Sequence, residues 1–164
     1  MHISSERLSY SMVAHDPLML FELTGLSHTD FTLLLRPFEH AFEHLMGERT
    51  LEGKPRQNRR YRSYINSPLP TPEERLFFVL HYLRQKPTQA LQGRLFGLPQ
   101  CKVNQWLHVL LPTLLAALHS LDVPHRIMYI DLIKRLEVVL RRKRLIFGLP
   151  VRLFVSNLRP NAFA

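Results

Sequence analysis

Phe31, Leu34, Leu35, Phe38, Phe42 and Leu45 follow one another at steps of three and four residues. That is the period of one helix face, and it predicts an amphipathic helix of about 20 residues. Ser27, with Asp30 three residues on, is its expected N-cap. Pro37 falls inside the pattern and predicts a kink or a split after Leu35 or Arg36. A second helix is expected from Thr71, with Pro72 at its first position and Glu73 and Glu74 in its first turn. Thr71 and Glu74 have the spacing of a capping box. Leu76, Phe77, Val79, Leu80 and Leu83 give this helix its buried face, and Pro87 sets its end near Gln85 or Lys86.

Thr88 caps a short helix, "QALQGRLF", which Gly97 ends. Pro99 and Gln100 open another, with Val103, Trp106, Leu107, Leu110 and Leu111 inward and a bend expected at Pro112. Beyond Pro124, Ile130, Ile133, Leu136, Val139 and Leu140 predict a basic amphipathic helix ending at Gly148–Pro150. The final "VRLFVSNLRPNAFA" reads equally as a short strand or an unpaired tail. The predicted class is all-α, a small helical bundle. Its segments are a flexible arm at 1–17, a helical segment at 18–47, a connector at 48–70, a helical bundle at 71–122 and a basic extension at 123–164.

Composition adds partners rather than fold. The 164 residues carry a formal net charge of +9, which favours polyanions such as nucleic acid or an anionic membrane surface. The charge is uneven. Residues 1–47 hold two basic and six acidic side chains, 48–75 hold seven and four, 76–125 four and one, and 126–164 nine and two. One cysteine, Cys101, excludes an intramolecular disulfide and a Cys-based zinc site within the chain. No apolar run reaches the roughly 18 residues of a membrane span, and the start lacks a secretory pattern. The expectation is a cytoplasmic protein, nucleoid-associated if bacterial.

The stretch from Phe96 to Leu110 has the parts of a helix-turn-helix: a short helix, a glycine turn and a second helix pinned by apolar anchors. Gly93 permits close approach, and Leu98, Val103 and Trp106 stand where anchors belong. Gln100, Cys101, Lys102, Asn104, Gln105 and His108 face outward. Gln and Asn pair bidentately with adenine, and Lys reaches guanine or phosphate. Gln92 departs from the pattern, since an apolar residue is more usual there. An ordinary helical corner with a polar outer face fits the same spacing, and the basic charge is what favours the DNA-reading version. In the connector, Arg56, Arg59, Arg60 and Arg62 alternate with Tyr61 and Tyr64, as in a solvated loop or an arm against phosphates.

The order "LTGLS", "RTLEGKPR", "LPTPEERL" and "PTQALQGRLFGLPQCKVNQWLH" resembles the N-terminal region of insertion-sequence transposases of the DDE superfamily. The resemblance covers about 100 residues, Phe21 to Leu121. It implies a helix-turn-helix module that binds the terminal inverted repeats of a mobile element. It also matches Gln100, Lys102, Asn104 and Gln105 to base-reading positions, and the Arg-rich connector to a basic linker. Phosphate contacts are expected from Arg56, Arg59, Arg60, Arg62, Arg94, His108, Arg141, Arg142, Lys143 and Arg144. In such transposases a separate RNase H-like sheet holds two metals on three carboxylates. Only about 40 residues follow Pro124, so no strand-transfer domain and no enzymatic activity are expected. Asp131, in a helical pattern, reads as a solvated side chain.

No cofactor or metal is expected. His40 and His44 are four apart beside Glu39 and Glu43, but no third ligand is evident, and a polar helix face is the better reading. Double-stranded DNA is the expected partner, with a second copy or a full-length transposase as candidate protein partners. No membrane or small-molecule substrate is expected. The rival readings are a transcriptional or transposition repressor of the same fold and a helical protein–protein adaptor.

Overall fold

The computed structural model describes residues 6–57, 60–62 and 66–147, the last four of these by backbone alone. Eight helices follow in order among the described residues: α1 (Tyr10–Val13), α2 (Pro17–Thr24), α3 (His28–Glu48), α4 (Pro72–Gln85), α5 (Gln89–Phe96), α6 (Gln100–Ser120), α7 (Val123–Met128) and α8 (Ile130–Phe147). The expected all-α bundle is what forms.

Local chemistry sets most of the helix starts. Ser27, Thr71 and Thr88 each accept a bond from the backbone N–H three residues on, at 3.1, 3.2 and 3.1 Å. Asp16 and Asp122 do the same for α2 and α7, each followed by a proline in the first turn. Thr71 and Glu74 form only half of the expected capping box. The Glu74 carboxylate accepts from the N–H of Tyr10 at 3.0 Å and so holds the N-terminal segment against α4.

The expected loose arm therefore differs from the structure over residues 6–16. Leu8 donates its N–H to the Leu95 carbonyl, Val13 is buried, and the Tyr10 ring stacks on Phe31 with centroids 5.0 Å apart. Burial of these apolar side chains offsets the ordering of a segment that shows no sustained period. Pro37 and Pro112 do not divide their helices: α3 and α6 each run 21 residues through them. Both prolines are half-exposed, as is His108, and Leu33 is exposed. The residues whose carbonyls lose an N–H partner to these prolines are thus not sealed in the core.

Helix α6 is the central element and packs against α3, α4, α5 and α8. Its C-terminal half is surrounded: Val109, Leu110, Leu111, Leu114, Leu115, Ala117 and Leu118 are all buried. Phe31, Phe38 and Phe42 from α3, Phe77 and Phe78 from α4 and Phe96 from α5 fill the space around it. Tyr129 joins the same core and donates its hydroxyl to the Asp30 carbonyl at 2.8 Å. Ile133, Leu136 and Leu140 of α8 also belong to it. The segments read as 18–47, 71–122 and the start of 123–164 thus share one apolar interior.

One polar link crosses it. Gln92 is fully buried, and its Nε2 donates to the Phe78 carbonyl at 3.0 Å. Its Oε1 must then accept from His81, whose Nδ1 lies 2.8 Å away. The apolar residue expected at position 92 is replaced by a glutamine that ties α5 to α4 with both amide ends satisfied. Burial pushes the His81 pKa below the ordinary histidine value, with the Gln92 bond opposing it. His108 shifts the same way, through burial and then Lys143.

A folded-state pKa below the unfolded one means that the unfolded chain binds protons more readily. The stabilisation is present above the unfolded histidine value, about 6.5, and is lost as pH falls through and below it. Urea unfolding followed from pH 7.5 to 5 is expected to show a steadily falling midpoint. His81→Gln should flatten part of that slope, and an unchanged slope would remove His81 as its source.

Candidate nucleic-acid interface

The site is built on a corner. α5 ends at Gly97, whose φ of 69° is the left-handed conformation glycine adopts without strain. The N–H of Leu98 returns to the Gly93 carbonyl at 2.7 Å, closing the turn as a helix C-cap. A Cβ on Gly93 would stand 2.3 Å from the Leu98 carbonyl oxygen and 3.3 Å from Val103 Cγ2. Only glycine allows this approach of α5 to the turn. The anchors expected from sequence are inward: Val103 is fully buried, Leu98 is 8% exposed, and Trp106 is 2% exposed. Trp106 stacks on Phe42, with centroids 6.4 Å apart and planes 17° off parallel, so α6 is pinned to α3 as well as α5.

With those positions inward, the first two turns of α6 present a polar set of side chains outward. Gln100, Cys101 and Lys102 are exposed, and Asn104 and Gln105 are half-buried. Lys102 Nζ donates to Gln105 Oε1 at 3.1 Å. Gln89, from the first turn of α5, donates its Nε2 to Asn104 Oδ1 at 3.2 Å. Of the four residues expected to read bases, all lie in the first two turns of α6 with outward access, and Lys102 and Gln105 are linked to each other. Pro99 gives α6 no side-chain cap, and an uncapped helix N-terminus carries partial positive charge.

The expected phosphate contacts divide. Arg94 is exposed in the last turn of α5, beside the corner. Arg141 and Arg142 are exposed on α8, whereas Lys143 is half-buried and lies close enough to depress the His108 pKa. His108 is thus turned toward α8, and its lowered pKa works against a cationic role at neutral pH. Arg59 and the Arg144 side chain lie outside the described residues, as does Tyr64.

Arg56 has a structural engagement. Its Nε donates to the Met46 carbonyl at 2.6 Å and its Nη2 to that of Arg49 at 3.2 Å, capping the end of α3. The loop that brings it there closes through an Arg49–Pro55 bridge and a left-handed Gly53. The connector is tethered again at Tyr61, whose ring meets Phe42 edge-on at 5.5 Å. Arg56 and Arg60 border a cleft of about 910 Å³ with Glu39, Phe42, Glu43, Tyr61 and Arg75. None of the four base-reading candidates lines it. Arg62 is exposed.

Three residues of this region escaped the sequence reading. Arg75 is 5% exposed, with its guanidinium 4.4 Å over the Phe42 ring and bonded to the carbonyls of Leu69 and Pro70 and the Tyr61 hydroxyl. Burial lowers its pKa, while Tyr61, Glu39, Glu43 and Glu73 oppose the shift. It buttresses the floor on which Trp106 rests. Arg7 lays its aliphatic stem across the turn, its Cδ 3.2 Å from where a Cβ on Gly97 would stand, and donates to the Pro68 carbonyl. Gln89 is the third. The capping and spacing rules mark none of them, because each has at least one side-chain partner 14 or more residues away.

Among the described residues no cluster of three His, Cys, Asp or Glu side chains is arranged to hold a metal, and no helix is long and apolar enough to cross a membrane. Compared with protein-family models, curated proteins and solved structures, the chain matches none.

Proposed function

We propose that this protein binds duplex DNA sequence-specifically through the first two turns of α6. The observation that carries the reading is the division of that helix. Leu98, Val103 and Trp106 fix it from within, while Gln100 and Lys102 are exposed and Asn104 and Gln105 half-exposed at its start, on a chain of net charge +9. A helix held this way and projecting at its N-terminal end suits the major groove. The resemblance of the motif order to insertion-sequence transposases makes the terminal inverted repeats of a mobile element the proposed target. On this reading the chain supplies the DNA-binding step, and a nucleoid location follows if the source is bacterial.

Gel shift of the full chain on the inverted repeat of the neighbouring element, at several salt concentrations, tests this. Each neutralised phosphate should contribute roughly 0.9 to the slope of log affinity against log salt. Asn104→Ala is expected to weaken specific binding by roughly 1–3 kcal/mol and leave binding to unrelated duplex nearly unchanged. Equal losses on both duplexes would take Asn104 out of the base-reading set. Binding to a promoter in place of the element's ends would make the protein a repressor of the same fold.

A second reading, a helical adaptor, draws on α7. Val123, Ile127, Met128 and the adjoining Ile130 are exposed, Ile127 by 65%, and α7 has no buried residue. Exposed apolar groups of this kind mark contact surfaces. Failure to shift any duplex at low salt would favour the adaptor.

A further inference from the structure

We propose that Gln89 is a positioning residue that presets the Asn104 amide to read adenine, an inference that rests on the DNA-binding reading above. Gln89 Nε2 donates to Asn104 Oδ1 at 3.2 Å, across the opening between α5 and the first turns of α6. Both side chains are half-buried, so the contact lies at the edge of the outward surface rather than in the core.

The base of Gln89 is held firmly. Thr88 caps the helix just before it, Gln92 is locked to His81 and the Phe78 carbonyl, and Gly93 lies against the turn. Asn104 is held equally well, between the buried Val103 and Trp106. Two rigid elements thus meet through one pair of amides.

The chemistry of the pair follows from donor and acceptor counts. An asparagine amide has one oxygen with two lone pairs and one nitrogen with two donors. Adenine offers the major groove an acceptor, N7, and a donor, N6. Bidentate pairing needs the amide nitrogen at N7 and the amide oxygen at N6. Turned over, the same side chain would set donor against donor and acceptor against acceptor.

Gln89 decides between the two orientations. Its N–H holds Oδ1, which keeps one lone pair for N6, and leaves both Nδ2 donors for N7. The amide is fixed before DNA arrives, so less side-chain freedom is lost on binding. Gln105 is linked instead to Lys102, a cation that favours guanine or phosphate. Position 104, whose partner is anchored on the capped α5, is therefore the proposed seat of adenine preference.

Selection of binding sites by the full chain from a randomised duplex pool tests this, followed by titration of the selected duplex and its single-base-pair variants. Gln89→Ala should reduce discrimination at one base pair by roughly threefold to tenfold, at the same adenine that Asn104→Ala affects. The salt slope should stay as in the unmodified chain. The double variant should lose no more than Asn104→Ala alone. Gln89→Glu accepts from Nδ2 instead and turns the amide over, so the preference at that base pair should move away from adenine.

A Gln89→Ala chain that selects the same site with undiminished preference overturns the proposal and leaves DNA binding standing. So does a loss spread evenly over all base pairs, which is what mere loosening of α5 would produce. An unmodified chain that selects no site overturns both readings together.

Discussion

Trp106→Ala is expected to destabilise the protein by about 3–5 kcal/mol, the usual cost of removing a large aromatic side chain from a core. The indole is 2% exposed and stacks on Phe42. Phe42 in turn carries the Tyr61 edge on one contact and the Arg75 guanidinium on another. Truncation therefore empties a space bounded by α3 and α6 and leaves Phe42 without its stacking partner. Few of the neighbours can close the gap, because Arg75 is fixed by two backbone carbonyls. Urea unfolding monitored by far-ultraviolet circular dichroism measures the change, since the chain has a single tryptophan and loses its fluorescence signal with it. A loss below about 1 kcal/mol would mean that the site collapses freely and that α6 is not pinned through this residue.

Gly93→Ala should destabilise as well, and here the sign is the informative quantity. In an unconstrained helix interior the substitution stabilises by roughly 0.5–1 kcal/mol, because alanine loses less backbone entropy than glycine. In α5 the added Cβ would lie 2.3 Å from the Leu98 carbonyl oxygen, a backbone atom that also sits in the turn leading to α6. Relief requires the two helices to move apart, and overpacking of this kind costs about 1–3 kcal/mol. A net loss of stability is the expected result; on the proposed DNA-binding reading, affinity for duplex should fall further because the start of α6 is displaced. A stabilised variant would show that α5 and the turn are not in close contact.

Much of the fold was legible locally. Ser27, Thr71 and Thr88 act as the caps their spacing announces, and Gly97 ends α5 as a left-handed cap. The apolar stripe from Phe31 to Phe42 is buried almost as its period requires, with Leu35 at the margin. These features depend on groups within four residues of one another, where helix geometry leaves few choices. The helices at Pro37 and Pro112 are not split, because a helix that is packed along its length continues when the missing bonds are few. The N-terminal arm misled for a related reason: Leu8, Tyr10 and Val13 have no period, yet Leu8 and Tyr10 find partners on α3, α4 and α5 and Val13 is buried.

The sequence by itself determined the all-α class, the starts of α3, α4, α5 and α6, the glycine turn and the inward or outward sense of the residues from Leu98 to Trp106. Only the tertiary structure decided which polar groups meet. Gln92 is settled by His81, Arg75 by Phe42 and the Leu69 and Pro70 carbonyls, Arg56 by the end of α3, and Asn104 by Gln89. The period of a helix says which way a side chain points relative to its own axis. What it touches there depends on how distant helices cross, and that is fixed by the packing of the whole core at once.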